Sequence, residues 1–430
     1  MRCLLGVELC IALPYKLYGC TMPLHDSFRI ALQNRQNKNS RRQLTVLSPS
    51  AVDFSSNDFL SLSTSPRYRA RFLSLLHNAP PNHPLASGGS RLLDGNSTFA
   101  EDLERFIAGF HNAPTGLLFN SGFDANVGVL SCVPQPGDVI LYDEHIHASA
   151  HEGMRLSRAG TRRAFKHSCP ESLKGTVQEA VDCDPLVAGG ERNVFVAVES
   201  VYSMDGDVAP VREMLAIVQA LLPRGNGYVL IDEAHATGVL GPKGAGVVQD
   251  LGVEDRMLIR VHTFGKALAS HGAIVLCSPD TRDYLINYAR SLIYTTALGY
   301  PFLASIRAAY ELLAEGETEP VHLENPPPGY SLCIDANSNY STVKPSKPSS
   351  TTCAVVSSNS TPIRHTSSST TRPPRPSSPS ARPPPANSQR PASMPASWCG
   401  PSWRRRWPRG RRECGCACMP GIPSRRLRDW

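Results

Sequence analysis

Apolar and polar positions alternate with two different periods along the first three quarters of the chain. Between residues 98 and 110, Phe99, Leu103, Phe106, Ile107 and Phe110 recur at the three- and four-residue spacing of an amphipathic helix. Ser97 stands just ahead of them, where a capping hydroxyl is needed. Further helices are predicted near 26–36, over 125–133 and, with one apolar face, over 211–222. Short apolar runs at 116–119, 139–142, 194–199, 228–232, 258–263 and 272–277 read as buried strands. Residues 283–315 read as a long helical stretch interrupted near 295–301. Strands that alternate with helices imply βαβ units, so the fold class expected is α/β, with a mostly parallel sheet covered by helices on both faces. Such sheets bind ligands in loops beyond the C-terminal ends of their strands. Chemistry is therefore expected directly after these apolar runs.

The pattern stops near Pro326, beyond which Ser, Thr, Pro and Arg dominate and large aliphatics nearly vanish. The expected organisation is an N-terminal segment over 1–50, a large domain over 51–317 and a tail over 318–430. A stretch of the tail's composition cannot bury enough apolar surface to offset its ordering entropy, so disorder is expected there. Two Lys and fourteen Arg against three acids give residues 331–430 a net charge of +13, whereas the whole chain carries +7. Residues 1–330 are therefore at −6, and this acidic body makes nucleic acid an unexpected partner for it. The thirteen cysteines lack paired spacing, which points to reduced thiols in an intracellular setting. Cys414, Cys416 and Cys418 have no partner cluster, so no metal is expected. The apolar start over 3–13 is too short to span a bilayer and is interrupted by Glu8. The cytoplasm is the expected location, with an organelle as the alternative.

Three short segments carry chemistry when taken together. Asp232-Glu233-Ala234-His235 follows one predicted strand, and Thr263-Phe264-Gly265-Lys266 follows another. Asn120-Ser121-Gly122-Phe123-Asp124-Ala125-Asn126 lies between a strand and a helix. Singly, Asp232 reads as a helix cap, Lys266 as a solvated lysine and Gly122 as an ordinary turn residue. As a set they supply what pyridoxal 5′-phosphate requires: a lysine amine to bond its aldehyde, an acid opposite its pyridine nitrogen, and a phosphate cradle. Gly122 lets the backbone approach closely, and helix N-terminal amides there suit a phosphate.

The order of these motifs resembles the α-oxoamine synthases, within the fold-type I pyridoxal phosphate enzymes also called aminotransferase class I/II. The resemblance runs from about Asp53 to Glu315. It rests on Ser55-Ser56-Asn57-Asp58-Phe59-Leu60, Gly88-Gly89-Ser90-Arg91, residues 120–126, His147-Ala148-Ser149, residues 199–207, residues 232–238, Thr263 to Lys266 and Ile293-Tyr294-Thr295-Thr296. Within the family it is most similar to the fungal branch that forms 8-amino-7-oxononanoate in biotin biosynthesis.

The resemblance implies a role for each matching position. Lys266 would hold the cofactor and move the substrate's Cα proton, and Asp232 would pair with the pyridine nitrogen. His147 would stack on the ring, while Ser203 and His235 would bond its hydroxyl. Glu199 would order these neighbours. Gly122, Phe123 and Thr263 would lie at the phosphate. Thr295 and Thr296 would reach the phosphate of a neighbouring subunit, which implies a homodimer. Asn57 and Ser90 would lie near the substrate. The implied reaction is a decarboxylating condensation of a small amino acid with an acyl-CoA thioester.

The family carries a C-terminal domain with an arginine for the amino acid's carboxylate, and the tail here does not resemble it. Shifting plausible GC-rich codons for residues 399–430 by one nucleotide yields a segment close to the family's C-terminal sequence. The tail is accordingly read as an out-of-frame translation. Two alternatives stay open: another α-oxoamine synthase, forming aminolevulinate, 2-amino-3-ketobutyrate or a sphingoid base, and a catalytically impaired homologue that binds partners through its basic tail.

Overall fold

The computed structural model describes residues 23–46, 48, 51, 53–316, 330–332 and 343–345. The rest of the expected tail, the Cys414 to Cys418 triplet and the apolar start lie outside the described residues. Helix α1 (Leu24–Asn37) buries none of its side chains. Helix α2 (Pro66–His77) starts with Pro at its first position behind a Ser65 cap. In α3 (Thr98–Phe110), the Ser97 hydroxyl accepts from the Ala100 amide, and Leu103 and Ile107 are buried. There follow β1 (Thr115–Phe119), α4 (Gly122–Cys132), β2 (Val139–Asp143), α5 (Ala148–Leu156), β3 (Thr161–Phe165), α6 (Pro170–Cys183), α7 (Pro185–Gly189) and β4 (Val194–Glu199). The chain continues with α8 (Val211–Leu221), β5 (Gly227–Asp232), α9 (Val247–Leu251), β6 (Ile259–Thr263), β7 (Ala273–Cys277), α10 (Pro279–Tyr288), α11 (Arg290–Ile293) and α12 (Tyr300–Glu315). A two-stranded antiparallel ribbon pairs β8 (Tyr330–Leu332) with β9 (Val343–Pro345). No described helix is long and apolar enough to cross a membrane.

The main sheet has seven strands in the order β1-β7-β6-β5-β4-β2-β3. Pairings among β2 to β6 are all parallel, whereas β7 runs antiparallel to both β6 and β1. The reversal has a local cause. Only residues 264–272 connect β6 to β7, fewer than a parallel crossover needs, so the chain must turn back. Because β7 opposes both neighbours, β1 points the same way as β6. The C-terminal ends of β1, β2, β4, β5 and β6 therefore share one edge.

Helices cover both faces. One face packs Val196, Val198, Val229 and Ile231 against Leu173, Met214 and Leu215 of α6 and α8. The other packs Ile140, Phe195, Leu230 and Val261 against Ala125, Val129 and Met154 of α4 and α5. A third cluster joins α2, α3 and α12 at the β1–β7 side through Tyr68, Leu103, Ile107, Ile274 and Tyr310. Each fully buried aliphatic side chain contributes about 1.5–3 kcal/mol by leaving water. These layers hold the shared strand edge rigid.

Candidate active site

The side chains that matter stand where strands end. Asp232 is the last residue of β5. Its Oδ1 accepts from the Ala234 amide at 2.9 Å and its Oδ2 from the Asn126 amide group at 2.7 Å. Asn126 is buried on α4 and also donates to Ser149 Oγ at 3.0 Å. Ser149 Oγ in turn lies 2.7 Å from His147 Nδ1. Asp232, Asn126, Ser149 and His147 thus form one chain of hydrogen bonds joining the end of β5, α4 and the start of α5. The imidazole of His147 is left exposed at the site's mouth.

Lys266 lies three residues beyond β6, and its Nζ is 2.7 Å from His235 Nε2. Burial pushes the lysine's pKa below its ordinary value, and the charges of Asp232 and Glu199 only partly counter it. Burial and the lysine's charge together push His235 down to about 4. A neutral imidazole therefore accepts from the lysine through Nε2. Glu199, buried at the end of β4, is pushed up to about 8, first by burial and then by the nearby Asp232 carboxylate. The amide of His147 donates to it. One carboxyl, one amine and one imidazole of perturbed basicity at one strand edge mark a functional site.

The N-terminus of α4 supplies the anion-binding end. Ser121 Oγ caps it by accepting from the Asp124 amide at 3.0 Å. A side chain at Gly122 would put a Cβ 3.3 Å from both Cβ and Oγ1 of Thr263. Glycine thus keeps the first turn of α4 pressed against the end of β6, with amides free to face an anion. Phe123 is about half exposed beside it. Thr263 Oγ1 donates to the Gly272 carbonyl at 3.3 Å.

Other predicted residues sit further out. Thr295 and Thr296 are held by Asn120, whose amide group donates to Thr295 Oγ1 at 3.1 Å and to the Thr296 carbonyl at 2.8 Å. Asn57 is exposed, two residues before Phe59, whose ring centroid lies 6.3 Å from that of His235. Ser203 is exposed in the turn after β4. Ser90 Oγ is buried without a hydrogen-bond partner among the described residues. Its neighbour Arg91 pairs with the buried Glu104. Among the described residues, no hydrogen bond joins Asn57, Ser90 or Ser203 to the lysine cluster.

The roles of Asn126 and Ser149 did not emerge from sequence. A signal existed, since Asn126 falls on the same helical face as Ala125 and Val129, and a buried amide there needs partners. The glycine-rich run 241–246, which lacks the context of a nucleotide fingerprint, is structural. A Cβ at Gly246, whose φ is +106°, would lie 2.4 Å from Glu233 Oε2. Its loop wraps that carboxylate, which accepts from the Val247 and Val248 amides at 2.9 Å each.

Comparison with known proteins places this geometry. The family model "Aminotransferase class I and II" matches residues 49–323. The 8-amino-7-oxononanoate synthase of Emericella nidulans is 74% identical over 296 residues, covering 69% of this chain and 72% of that one. The aminoacyl transferase sphA of Byssochlamys spectabilis is 45% identical over 287 residues, covering 67% of this chain and 61% of that one. In three dimensions, the serine palmitoyltransferase of Sphingomonas wittichii aligns with a TM-score of 0.58 at 25% identity, over 69% of this chain and 74% of that one. The chain belongs to the aminotransferase class I and II family and, within it, to the α-oxoamine synthases, acyltransferases that depend on pyridoxal phosphate.

Proposed function

We propose that this chain serves an 8-amino-7-oxononanoate-forming condensation, with residues 51–317 as the cofactor-binding domain. The reading is carried by one observation: the half-buried Lys266 amine, depressed in basicity, lies 2.7 Å from a neutral His235 at the strand edge that also holds Asp232. The residues fit pyridoxal phosphate. Lys266 would bond its aldehyde, Asp232 would keep the pyridine nitrogen protonated, and Gly122, Phe123 and Thr263 would flank the phosphate. His147 would cover the ring, with Ser203 and His235 at its hydroxyl. When bound, the cofactor supplies an electron sink for the amino acid's Cα–H electrons.

The chain's own residues do the rest. Lys266, whose amine burial holds below the ordinary lysine range, is the base in this reading: its Nζ takes the Cα proton and later returns it. Asp232 stays oriented because Asn126 and the Ala234 amide hold both of its oxygens. Asn57 and Ser90 border the substrate in this reading. The product's skeleton sets the substrates. Its C8, C9 and nitrogen are alanine without its carboxylate, leaving carbons 1–7 to a seven-carbon dicarboxylic acyl thioester. One C–C bond forms, the thiol leaves as coenzyme A, and the alanine carboxylate leaves as carbon dioxide.

Thr295 and Thr296 would complete the phosphate site of a second copy, so the working unit proposed is a homodimer, in the cytoplasm. The acidic body makes nucleic acid no part of this reading. Turnover tests it: coenzyme A release from alanine plus the seven-carbon dicarboxylic thioester is expected to exceed release from serine plus a long-chain thioester. The reverse preference would move the chain to the sphingoid-base-forming members. Residues 318–430 are read as out of frame, so a transcript read through 318–345 in the other frame is expected to give the more active protein.

A further inference from the structure

Beside the lysine cluster, three loops after β2, β3 and β4 meet on one histidine that the proposed chemistry does not use. His167 Nδ1 lies 2.8 Å from Asp143 Oδ1 and its Nε2 lies 3.1 Å from Asp207 Oδ1. Both carboxylates are buried. Asp143 also accepts from the His145 amide at 2.9 Å and the Ser168 amide at 2.8 Å. Asp207 accepts from Ser168 Oγ at 2.6 Å. His145 stacks on the ring at 4.1 Å and Tyr202 meets its edge at 4.6 Å. Burial pulls the imidazole's pKa down, yet the hydrogen bonds and charges of the two acids outweigh it and hold the ring above its ordinary value. A carboxyl oxygen stands within hydrogen-bond distance of each ring nitrogen, so the two acids accept from both sides of the ring. His145, His167 and Asp205 place one ligand atom each within 4.8 Å of one another, as a metal site would. Both ring nitrogens of His167 are already committed to buried carboxylates, so the geometry is that of a clasp.

The clasp grips the frame of the site. Asp143 leads directly to His145 and His147, and the His147 amide bonds Glu199. Asp207 closes the turn that carries Ser203: its carbonyl accepts from the Tyr202 amide at 3.0 Å, and the Tyr202 carbonyl accepts from the Gly206 amide at 2.8 Å. We infer that His167 is a positioning residue that, through Asp207, fixes the 202–207 turn and hence Ser203, and through Asp143 fixes the approach to His147. This inference rests on the cofactor reading only where Ser203 is concerned.

Two near-isosteric substitutions split the clasp. His167→Asn retains a donor near Nδ1 and keeps the Asp143 bond, whereas His167→Gln retains one near Nε2 and keeps the Asp207 bond. In the full chain, the Tyr202 and Gly206 amides are expected to exchange hydrogen about tenfold faster in His167→Asn and near the parent rate in His167→Gln. With pyridoxal phosphate bound, the pH midpoint of its visible band is expected to move in His167→Asn in the same direction as in Ser203→Ala. The double variant should move no further than Ser203→Ala alone. Unchanged exchange in His167→Asn, or equal acceleration in both variants, overturns the clasp. Faster exchange with an unmoved band midpoint overturns the positioning of Ser203. A parent protein without any band overturns the cofactor reading instead, while the exchange arm still judges the clasp.

Discussion

Two groups of acids, bases and imidazoles, one half-buried and one fully buried, lie side by side at the ends of β5 and β6, and only the half-buried one has the geometry of a reactive site. Asp232, His235 and Lys266 face the open edge. Glu233, His262, His111, Arg260 and Tyr310 face the interior. The sequence interleaves them: Asp232 precedes Glu233, and His262 precedes Thr263. Alternation along a strand sends neighbours to opposite faces. Burial depresses histidines in both groups, His235 to about 4 and His111 to about 3, so a shifted pKa does not by itself separate them.

What separates them is whether the partner can exchange a proton. His235 faces an amine that titrates. In the interior, Thr237 donates its only hydroxyl proton to the Glu233 carbonyl at 2.7 Å, so it must accept from His262 Nδ1 at 2.9 Å. His111 Nδ1 donates to the Ala245 carbonyl at 3.0 Å, and its Nε2 accepts from the Tyr310 hydroxyl at 2.9 Å. Arg260 donates to the His111 carbonyl at 2.8 Å. These partners fix one tautomer and one charge state. The interior group is a polar strut beneath the site.

Substitutions should divide along the same line. Lys266→Ala should lower turnover by about 10³-fold or more, with a thermal midpoint close to the parent's; coenzyme A release and melting curves read the two effects. Glu233→Ala should do the reverse. It leaves the Val247 and Val248 amides without their acceptor, at a cost of about 3 kcal/mol in urea unfolding, while the surviving folded protein keeps the cofactor band. A large loss of stability in Lys266→Ala would erase the distinction. Gly122→Ala should weaken cofactor binding about tenfold in a spectral titration, because the new Cβ meets Thr263 where the helix must stay close.

The smallest effect is in pH. His111 and His262 are depressed by burial, so the unfolded chain holds more protons below its histidine range, and stability falls as pH drops from about 6.5 towards about 3. Glu233 is raised to about 7 and Glu199 to about 8, so the folded chain holds their protons longer, and stability falls as pH rises from the ordinary carboxyl range to those values. The two trends oppose each other between about 4.5 and about 6.5. The cofactor-free protein should therefore be most stable in that interval. His111→Phe should flatten the acid side alone, as denaturant midpoints across pH will show.

The reactive half of this division was legible in the chain before its fold, and the interior half was not. The apolar runs marked β1, β2, β4, β5 and β6, and the motifs placed Asp232, His235 and Lys266 at their ends. Other parts carried no readable signal. β3 (Thr161–Phe165) is an edge strand exposed at every position but its last, so its pattern shows neither period. The antiparallel sense of β7 depends on the length of a connection, which an apolar run does not state. α4 begins at Gly122, three residues before its apolar face starts at Ala125, because Ser121 supplies the cap. The clasp was invisible, since Asp143, His167 and Asp207 are far apart in sequence and meet only when three strands lie side by side.

The most direct test of the central assignment is to load the full chain with pyridoxal phosphate, reduce it with borohydride and map the label by peptide mass spectrometry. The pyridoxyl group should sit on Lys266. Its recovery on another lysine, such as Lys243, or on none, would contradict the assignment of Lys266 as the residue that holds the cofactor.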